Sequence, residues 1–230
     1  MTATRMSTST TSSATVTPTD GGGHDAAETV DPRTIGTQQT FRVALAAMTT
    51  PGRIGQMDWE PELSDRIAGP DRWLAALLLA LADHEVSLAV ELADRSVTFS
   101  GEITRWTRMA PAGPEAADMV VAEAASMESG LPARLRRGSL QYPDDAALLI
   151  VQVGRLGDGH DGTTLDLRGP GVNGRIALRV DDLSSGVIAA RDVAVSQYPT
   201  GIDLLLVDHE GRIAGIPRTT AITIIAGEEG

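Results

Sequence analysis

Cysteine and lysine, two of the most reactive residue types, are both absent from this chain. Its 230 residues contain no Cys, which excludes disulfides, thiolate metal ligands and a cysteine nucleophile. All nineteen basic residues are Arg, so a lysine Schiff base and pyridoxal-type covalent catalysis are excluded as well. Any side-chain cation that binds an anion must therefore be Arg, whose planar guanidinium suits phosphate.

Aromatic residues and long apolar runs are also scarce. Aromatics make up 3% of the chain, so Leu, Val, Ile and Ala must fill the core. The longest apolar runs are well short of the ~20 residues that span a bilayer. The net charge is −12 and no Arg-rich stripe is present, which argues against nucleic acid as a partner. The first residues lack the apolar segment of a secretory signal, so we expect a cytoplasmic protein without membrane contact.

Composition divides the chain into three parts. Residues 1–33 are rich in Ser, Thr, Gly and Asp, which predicts a disordered tail. Residues 34–226 are predicted to form a single domain, and residues 227–230 a second disordered tail.

Helix and strand patterns alternate within the predicted domain. Phe41, Leu45 and Met48 share one helical face, and the Pro51–Gly52 pair ends that helix. Residues 69–83 form the strongest predicted helix, and a shorter helix capped by Ser100 and one ending at Gly138 follow. Further patterns predict strands over 86–92 and 147–153, a helix over 181–197, and a hairpin whose turn contains Gly211. The fold class is therefore α/β, with a mixed β-sheet flanked by helices.

Two loops contain residues suited to ligand binding, although simpler explanations exist for both. The stretch GRLGDG, 154–159, lacks the spacing of a dinucleotide loop and is predicted to be a hairpin loop. The overlapping stretch DGHDG contains Asp158, His160 and Asp161, which could ligate a metal or act in a stand-alone transferase or hydrolase. The four His residues nevertheless lack zinc-site spacing, so we predict no metal site.

Two turns are the best candidates for anion or partner contacts. In RGPG, Gly169 and Gly171 flank a proline and could expose backbone N–H groups. In IPRTT, Arg218, Thr219 and Thr220 follow a strand, and strand ends commonly bind ligands in α/β proteins. The alternatives are a plain tight turn at RGPG, and at IPRTT an interface arginine or a bend in an edge strand.

Three segments, taken in order, resemble the PhnH family, the H subunit of the carbon–phosphorus lyase core complex. They are TFRVALAAMTTPG, LRGPGV and PTGIDLLLVDHEGRIAGIPRTT, and the resemblance covers about residues 36–225. It implies a fold like the large domain of pyridoxal-phosphate-dependent transferases, without a cofactor site. It also implies assembly with the G, I and J subunits. We further expect the chain to form a homodimer through its sheet side or its apolar helices.

The resemblance also implies a role in phosphonate catabolism. The family's complex makes α-D-ribose 1-methylphosphonate 5-triphosphate from ATP and methylphosphonate, and adenine displacement is credited to the I subunit. We therefore expect a structural or nucleotide-contacting subunit of a transferase complex, without catalytic residues or cofactor of its own. A ligand-free dimeric scaffold is a third alternative.

Overall fold

The computed structural model describes residues 31–128, 130–157 and 162–225. Within them the helices are α1 (Pro32–Thr49), α2 (Asp71–Leu81), α3 (Ser96–Thr107), α4 (Ala124–Glu128), α5 (Leu131–Arg134) and α6 (Ser185–Ala194). The strands are β1 (Gly55–Gln56), β2 (Ser87–Glu91), β3 (Ala110–Pro111), β4 (Met119–Glu123), β5 (Leu148–Gln152), β6 (Thr163–Arg168), β7 (Ile176–Val180), β8 (Asp203–Val207), β9 (Arg212–Ile216) and β10 (Ala221–Ile225).

The strands form two sheets. The larger has the order β1-β9-β8-β5-β4-β2-β3. Its strands from β8 to β3 are parallel, while β9 and β1 complete the other edge in antiparallel pairing. The smaller sheet is antiparallel, with the order β10-β6-β7.

Apolar side chains cover both faces of the large sheet. Helices α1, α2 and α3 pack on one face, where residues such as Leu77, Phe99 and Val121 are buried. Helices α4 to α6 and the smaller sheet pack on the other, around Met127, Leu149 and neighbouring residues. Burial on both faces explains why β5 and β8 are nearly continuous apolar runs.

The main sequence-based assignments are confirmed. The protein is α/β, with a mixed sheet flanked by helices. Helix α2 lies within the predicted range 69–83, and its residues 74–78 are fully buried. Strands β8 and β9 form the predicted hairpin, with Gly211 at φ 82° in its turn.

Three local predictions are wrong. Ser100 lies inside α3 rather than at its N-terminus, because a 3₁₀ turn at Ala93–Arg95 starts the helix earlier. Helix α5 ends at Arg134, before Gly138. The loop after β5 connects the two sheets instead of closing a hairpin.

Helix α1 packs through its small residues. Gly36, Thr40, Ala44 and Ala47 are buried, whereas Phe41 and Leu45 are 46% and 53% exposed. The small face allows close backbone contact with β9: a Cβ on Gly215 would lie 2.4 Å from the carbonyl oxygen of Ala47. Phe41 and Leu45 therefore face solvent.

Two tryptophans also pack against glycines. A Cβ on Gly211 would lie 2.7 Å from the ring of Trp73, and one on Gly36 would lie 2.2 Å from the ring of Trp59. Trp73 thus fixes the β8–β9 turn against α2, and Trp59 fixes the chain after β1 against α1. Among the described residues, no helix combines the length and apolar character needed to cross a membrane.

The contact between α1 and Gly215 can be tested with matched alanine substitutions. Gly215→Ala is expected to destabilise the fold by about 1–3 kcal/mol, because the new methyl group overlaps the backbone of α1. Gly101→Ala is the control: it lies inside α3 with open space around its Cα, and should be neutral or stabilising by up to about 1 kcal/mol. Urea unfolding measures both, and equal midpoints would contradict the close-contact assignment.

Candidate functional site

The five sequence-predicted site residues lie in or beside a junction of three turns. We define the turn junction as residues 49–52, 169–171 and 217–220. Gly169 has φ 146°, and a Cβ there would lie 2.9 Å from the carbonyl oxygen of Thr219. Gly171 has φ 82°, and its Cβ would lie 2.5 Å from the carbonyl oxygen of Thr49. Glycine is required at both positions because the backbone of one turn rests on another.

Arg218 is held by protein acceptors. Its Nε lies 3.1 Å from Oδ2 of Asp203, and its Nη2 lies 2.5 Å from the same oxygen. Nη1 donates to the carbonyl oxygens of Pro143 and Pro199, at 2.7 and 3.3 Å. The side chains of Arg218 and Asp203 are only 14% and 23% exposed. These contacts use most of the N–H groups of the guanidinium, so Arg218 links the turn after β9 to Asp203 and to two neighbouring turns.

The neighbouring threonines differ in exposure. Thr219 is exposed, whereas Thr220 is 1% exposed and its Oγ1 has no hydrogen-bond partner within the described chain. Arg191, also 1% exposed, donates from Nη2 to the carbonyl oxygen of Pro217 at 2.8 Å. Burial lowers the pKa of Arg191, and the charges of Asp192 and Asp203 offset only part of that effect. A 360 Å³ depression beside the turn junction is lined by both arginines and both threonines.

The position of Arg218 follows from strand direction. Because β9 is antiparallel to β8, the residue after β9 lies beside Asp203, where β8 begins. Arg218 therefore lies at the amino edge of the parallel strands, whereas ligands of α/β sheets bind at the carboxyl edge. Its predicted role in anion or partner contact stays a prediction.

A larger cavity lies at the carboxyl edge. This crevice has a volume of about 770 Å³, and its lining includes Arg95, Glu123, Gln152, Asp182 and His209. Glu123 and Gln152 are the last residues of β4 and β5, and His209 follows β8. Arg95 ends the 3₁₀ turn that follows β2. The crevice is thus built by the loops that leave four parallel strands.

A charged network forms one wall of the crevice. Arg95 donates from Nη1 to Asp71, and from Nη2 to Glu123 at 3.0 Å and to Gln152 at 3.3 Å. Gln152 in turn donates to Asp71 at 3.1 Å. Burial acts to lower the pKa of Arg95, but hydrogen bonds and charges from Asp71 and Glu123 outweigh it and raise the pKa. Arg95 is thus a charged structural link between α2, β4 and β5.

The opposite rim carries further carboxylates. Ser184 precedes α6 and donates from Oγ to Oε1 of Glu128. Asp182 has φ 62° in the turn after β7, and a Cβ on Gly154 would lie 2.3 Å from its Oδ2. Asp tolerates this left-handed conformation better than most residues. The rim therefore presents oxygen acceptors rather than cations.

The loop proposed for the alternative Asp/His site falls mainly outside the described residues. Asp158, His160 and Asp161 belong to that part of the chain. Elsewhere, in 31–128, 130–157 and 162–225, His, Asp and Glu side chains form no group of three that could hold a metal ion.

Sequence reasoning missed the crevice, although a signal for it was present. Glu123 and Gln152 each end an apolar strand pattern, and polar residues at adjacent parallel strand ends meet at one edge. The same rule was applied only to Arg218, although the predicted hairpin already makes β9 antiparallel and so places its end at the amino edge of the sheet. Nothing in the local pattern around Arg95 or Asp182 indicates that they approach this edge.

Parallel strands, crossover helices and a crevice at the carboxyl ends of the strands define an α/β protein with a cavity at that edge of its sheet.

A family model described as bacterial phosphonate metabolism protein (PhnH) matches residues 30–223. The chain belongs to this family. It is also similar to a Stutzerimonas stutzeri protein described as putative C-P lyase subunit protein HtxG, with 32% identity over 188 residues. That alignment covers 81% of this chain and 86% of the relative.

The internal role of Arg218 predicts a stability effect. Arg218→Ala should lower the free energy of unfolding by about 2–4 kcal/mol, because it leaves the carboxylate of Asp203 without its charge partner. Arg72→Ala is the control, since the Arg72–Glu60 pair is 41% and 48% exposed and should contribute less than about 1 kcal/mol. Thermal and urea unfolding measure both variants. An Arg218→Ala protein as stable as the control variant would refute the structural role.

Proposed function

We propose that this protein is a helper subunit of a carbon–phosphorus lyase system. In this role it supports formation of α-D-ribose 1-methylphosphonate 5-triphosphate from ATP and methylphosphonate, while a partner subunit displaces adenine. Its partners would be the G, I and J subunits, and its contribution would be structural or nucleotide-contacting. The family match and the similarity to a protein described as a putative C-P lyase subunit both support this proposal.

The observation that best supports the helper role is that Arg218 is hydrogen-bonded to acceptors within the protein. Its guanidinium is held by Asp203 and two backbone carbonyls, and the turn glycines support neighbouring backbones. The segments on which the family resemblance rests therefore stabilise a surface, instead of presenting a reactive group. A surface of this kind suits assembly with other subunits.

The sheet architecture supports a further part of the proposal. A mixed sheet with helices on both faces and a cavity at its carboxyl edge fits a fold derived from the large domain of pyridoxal-phosphate-dependent transferases. Since the chain has no lysine, it cannot form the Schiff base of those enzymes. We infer that such a cavity could contact a nucleotide without performing catalysis.

Purified subunits provide the test of the helper role. The isolated chain, given ATP and methylphosphonate, should release no adenine. The family's system also requires a separate L protein, and addition of this chain to the G, I, J and L proteins should be required for full release. A tagged chain should also co-purify with G, I and J from cells that express all of them. Adenine release by the isolated chain, or full release without it, would overturn the proposal; chromatography of the free base is the measurement.

The exposed face of α1 supports the predicted homodimer. Ile35, Phe41 and Leu45 are 45%, 46% and 53% exposed on one helix, although the buried face of the same helix consists of small residues. Phe41 and Leu45 are neighbours on the helix surface because they are four residues apart. Apolar side chains left in water favour burial against a partner. A second copy can supply the same face, as two-fold dimers do.

A charge placed on this face should prevent dimerisation. Phe41→Glu is expected to convert the dimer to a monomer, because a carboxylate would be buried without a partner in the interface. Val97→Glu is the control: Val97 lies on α3 and is 85% exposed, so this variant should remain dimeric. Light scattering after size-exclusion chromatography measures the mass. A monomeric parent protein, or a dimeric Phe41→Glu variant, would contradict the proposed interface.

A further inference from the structure

The crevice lies at a switch point of the parallel sheet. After β2 the chain passes through α3, on one face, to β3. After β4 it passes through α4 and α5, on the opposite face, to β5. Neighbouring strands β2 and β4 therefore send their connections in opposite directions, which leaves a gap at their carboxyl ends. Ligands of open α/β sheets bind at such a point, and about 770 Å³ is a suitable volume for a small molecule.

The charge of the lining argues against a polyphosphate in this crevice. Among the described lining residues, three carboxylates (Glu123, Glu128 and Asp182) face one guanidinium, that of Arg95. Arg95 is already paired with Glu123 and with Asp71. A phosphate group needs cationic or N–H donors that are free to point at it. The charge of the crevice lining is mostly negative, so it would repel a phosphate chain.

The nearby helix terminus does not change this balance. Helix α6 begins at Ser185, and the N-terminus of a helix attracts anions. However, Ser184 at that terminus donates to the carboxylate of Glu128. The negative charge of Glu128 therefore already lies beside this helix terminus.

The same groups suit an uncharged ligand that carries hydroxyls. The carboxylate of Asp182 lines the crevice and has no hydrogen bond or ion pair within the described parts of the chain. In dinucleotide-binding sheets an acidic side chain beyond a strand end accepts hydrogen bonds from ribose hydroxyls. The side chain of Arg95 is 37% exposed. A planar guanidinium can stack on an aromatic ring.

We propose that the crevice binds the ribonucleoside end of a nucleotide, with Asp182 accepting hydrogen bonds from the ribose hydroxyls and the phosphates directed outside. The inference rests on the proposed function only in the choice of a nucleotide as ligand. This chain would contact the nucleoside part of the nucleotide, and partner subunits would bind the phosphates.

Binding to the full-length chain without magnesium tests the proposal by isothermal titration calorimetry. Adenosine should bind, while inorganic triphosphate should neither bind nor compete with it, and ATP should bind no more tightly than adenosine. Loss of the ribose hydroxyls in 2′,3′-dideoxyadenosine should weaken binding by about tenfold or more, because hydrogen bonds to a charged acceptor are lost.

Two matched variants assign the effect to Asp182. Asp182→Asn should weaken adenosine binding by about tenfold, since the charge is lost while Asn still tolerates the left-handed backbone. Asp145→Asn should not change it, because Asp145 is exposed in the turn before β5, at the opposite edge of the sheet. Circular dichroism checks that both variants fold.

Three outcomes would overturn the inference: no adenosine binding at millimolar concentration, equal binding by Asp182→Asn, or displacement of adenosine by triphosphate. They would leave the proposed function standing if the chain were still required for adenine release in the assembled system. Loss of that requirement, with adenosine binding intact, would instead remove the proposed function and leave the crevice as a nucleoside site.

Discussion

The close approach of α1 to β9 is the constraint on which the rest of the fold depends. The carbonyl oxygen of Ala47 lies so near Gly215 that no side chain could stand between them. The end of α1 is in turn held by Gly171, and Gly52 donates from its backbone to Gly215 at 3.1 Å. Because the Gly169–Gly171 turn belongs to the smaller sheet, these contacts set the position of that sheet relative to the larger one.

Charge is organised differently at the two edges of the large sheet. At the amino edge, the Arg218–Asp203 pair is well shielded and fixes the turns around it. At the carboxyl edge, Arg95 links Asp71, Glu123 and Gln152. The carboxylate of Asp182 has no hydrogen bond or ion pair among the residues that the structure describes. One edge therefore has a shielded ion pair, whereas the other retains acceptor capacity. The polar groups of the amino edge therefore stabilise the fold, whereas those of the carboxyl edge include one that can bind a ligand.

The sequence predicts elements well where one physical signal dominates. Apolar continuity identified α2, β5 and β8, and the His209–Gly211 stretch identified the hairpin turn. Periodicity could not show that α1 packs through Gly36 and Ala44 instead of Phe41, since that depends on how close a neighbouring strand comes. The second sheet was missed because the pairing of β6 with β10 joins segments more than fifty residues apart. The crevice depends on which strands are neighbours in the large sheet and on where the turn after β7 lies beside them, so its lining was not predicted.

The contact between Trp73 and Gly211 gives the protein a built-in optical probe. The chain has three tryptophans, and Trp73 is 9% exposed whereas Trp106 is 42% exposed. Indole emission shifts to longer wavelength as water gains access to the ring. Light emitted by Trp73 thus reports the state of the β8–β9 turn, which also contains His209 at the mouth of the crevice. Replacing Trp59 and Trp106 by Phe would isolate that signal.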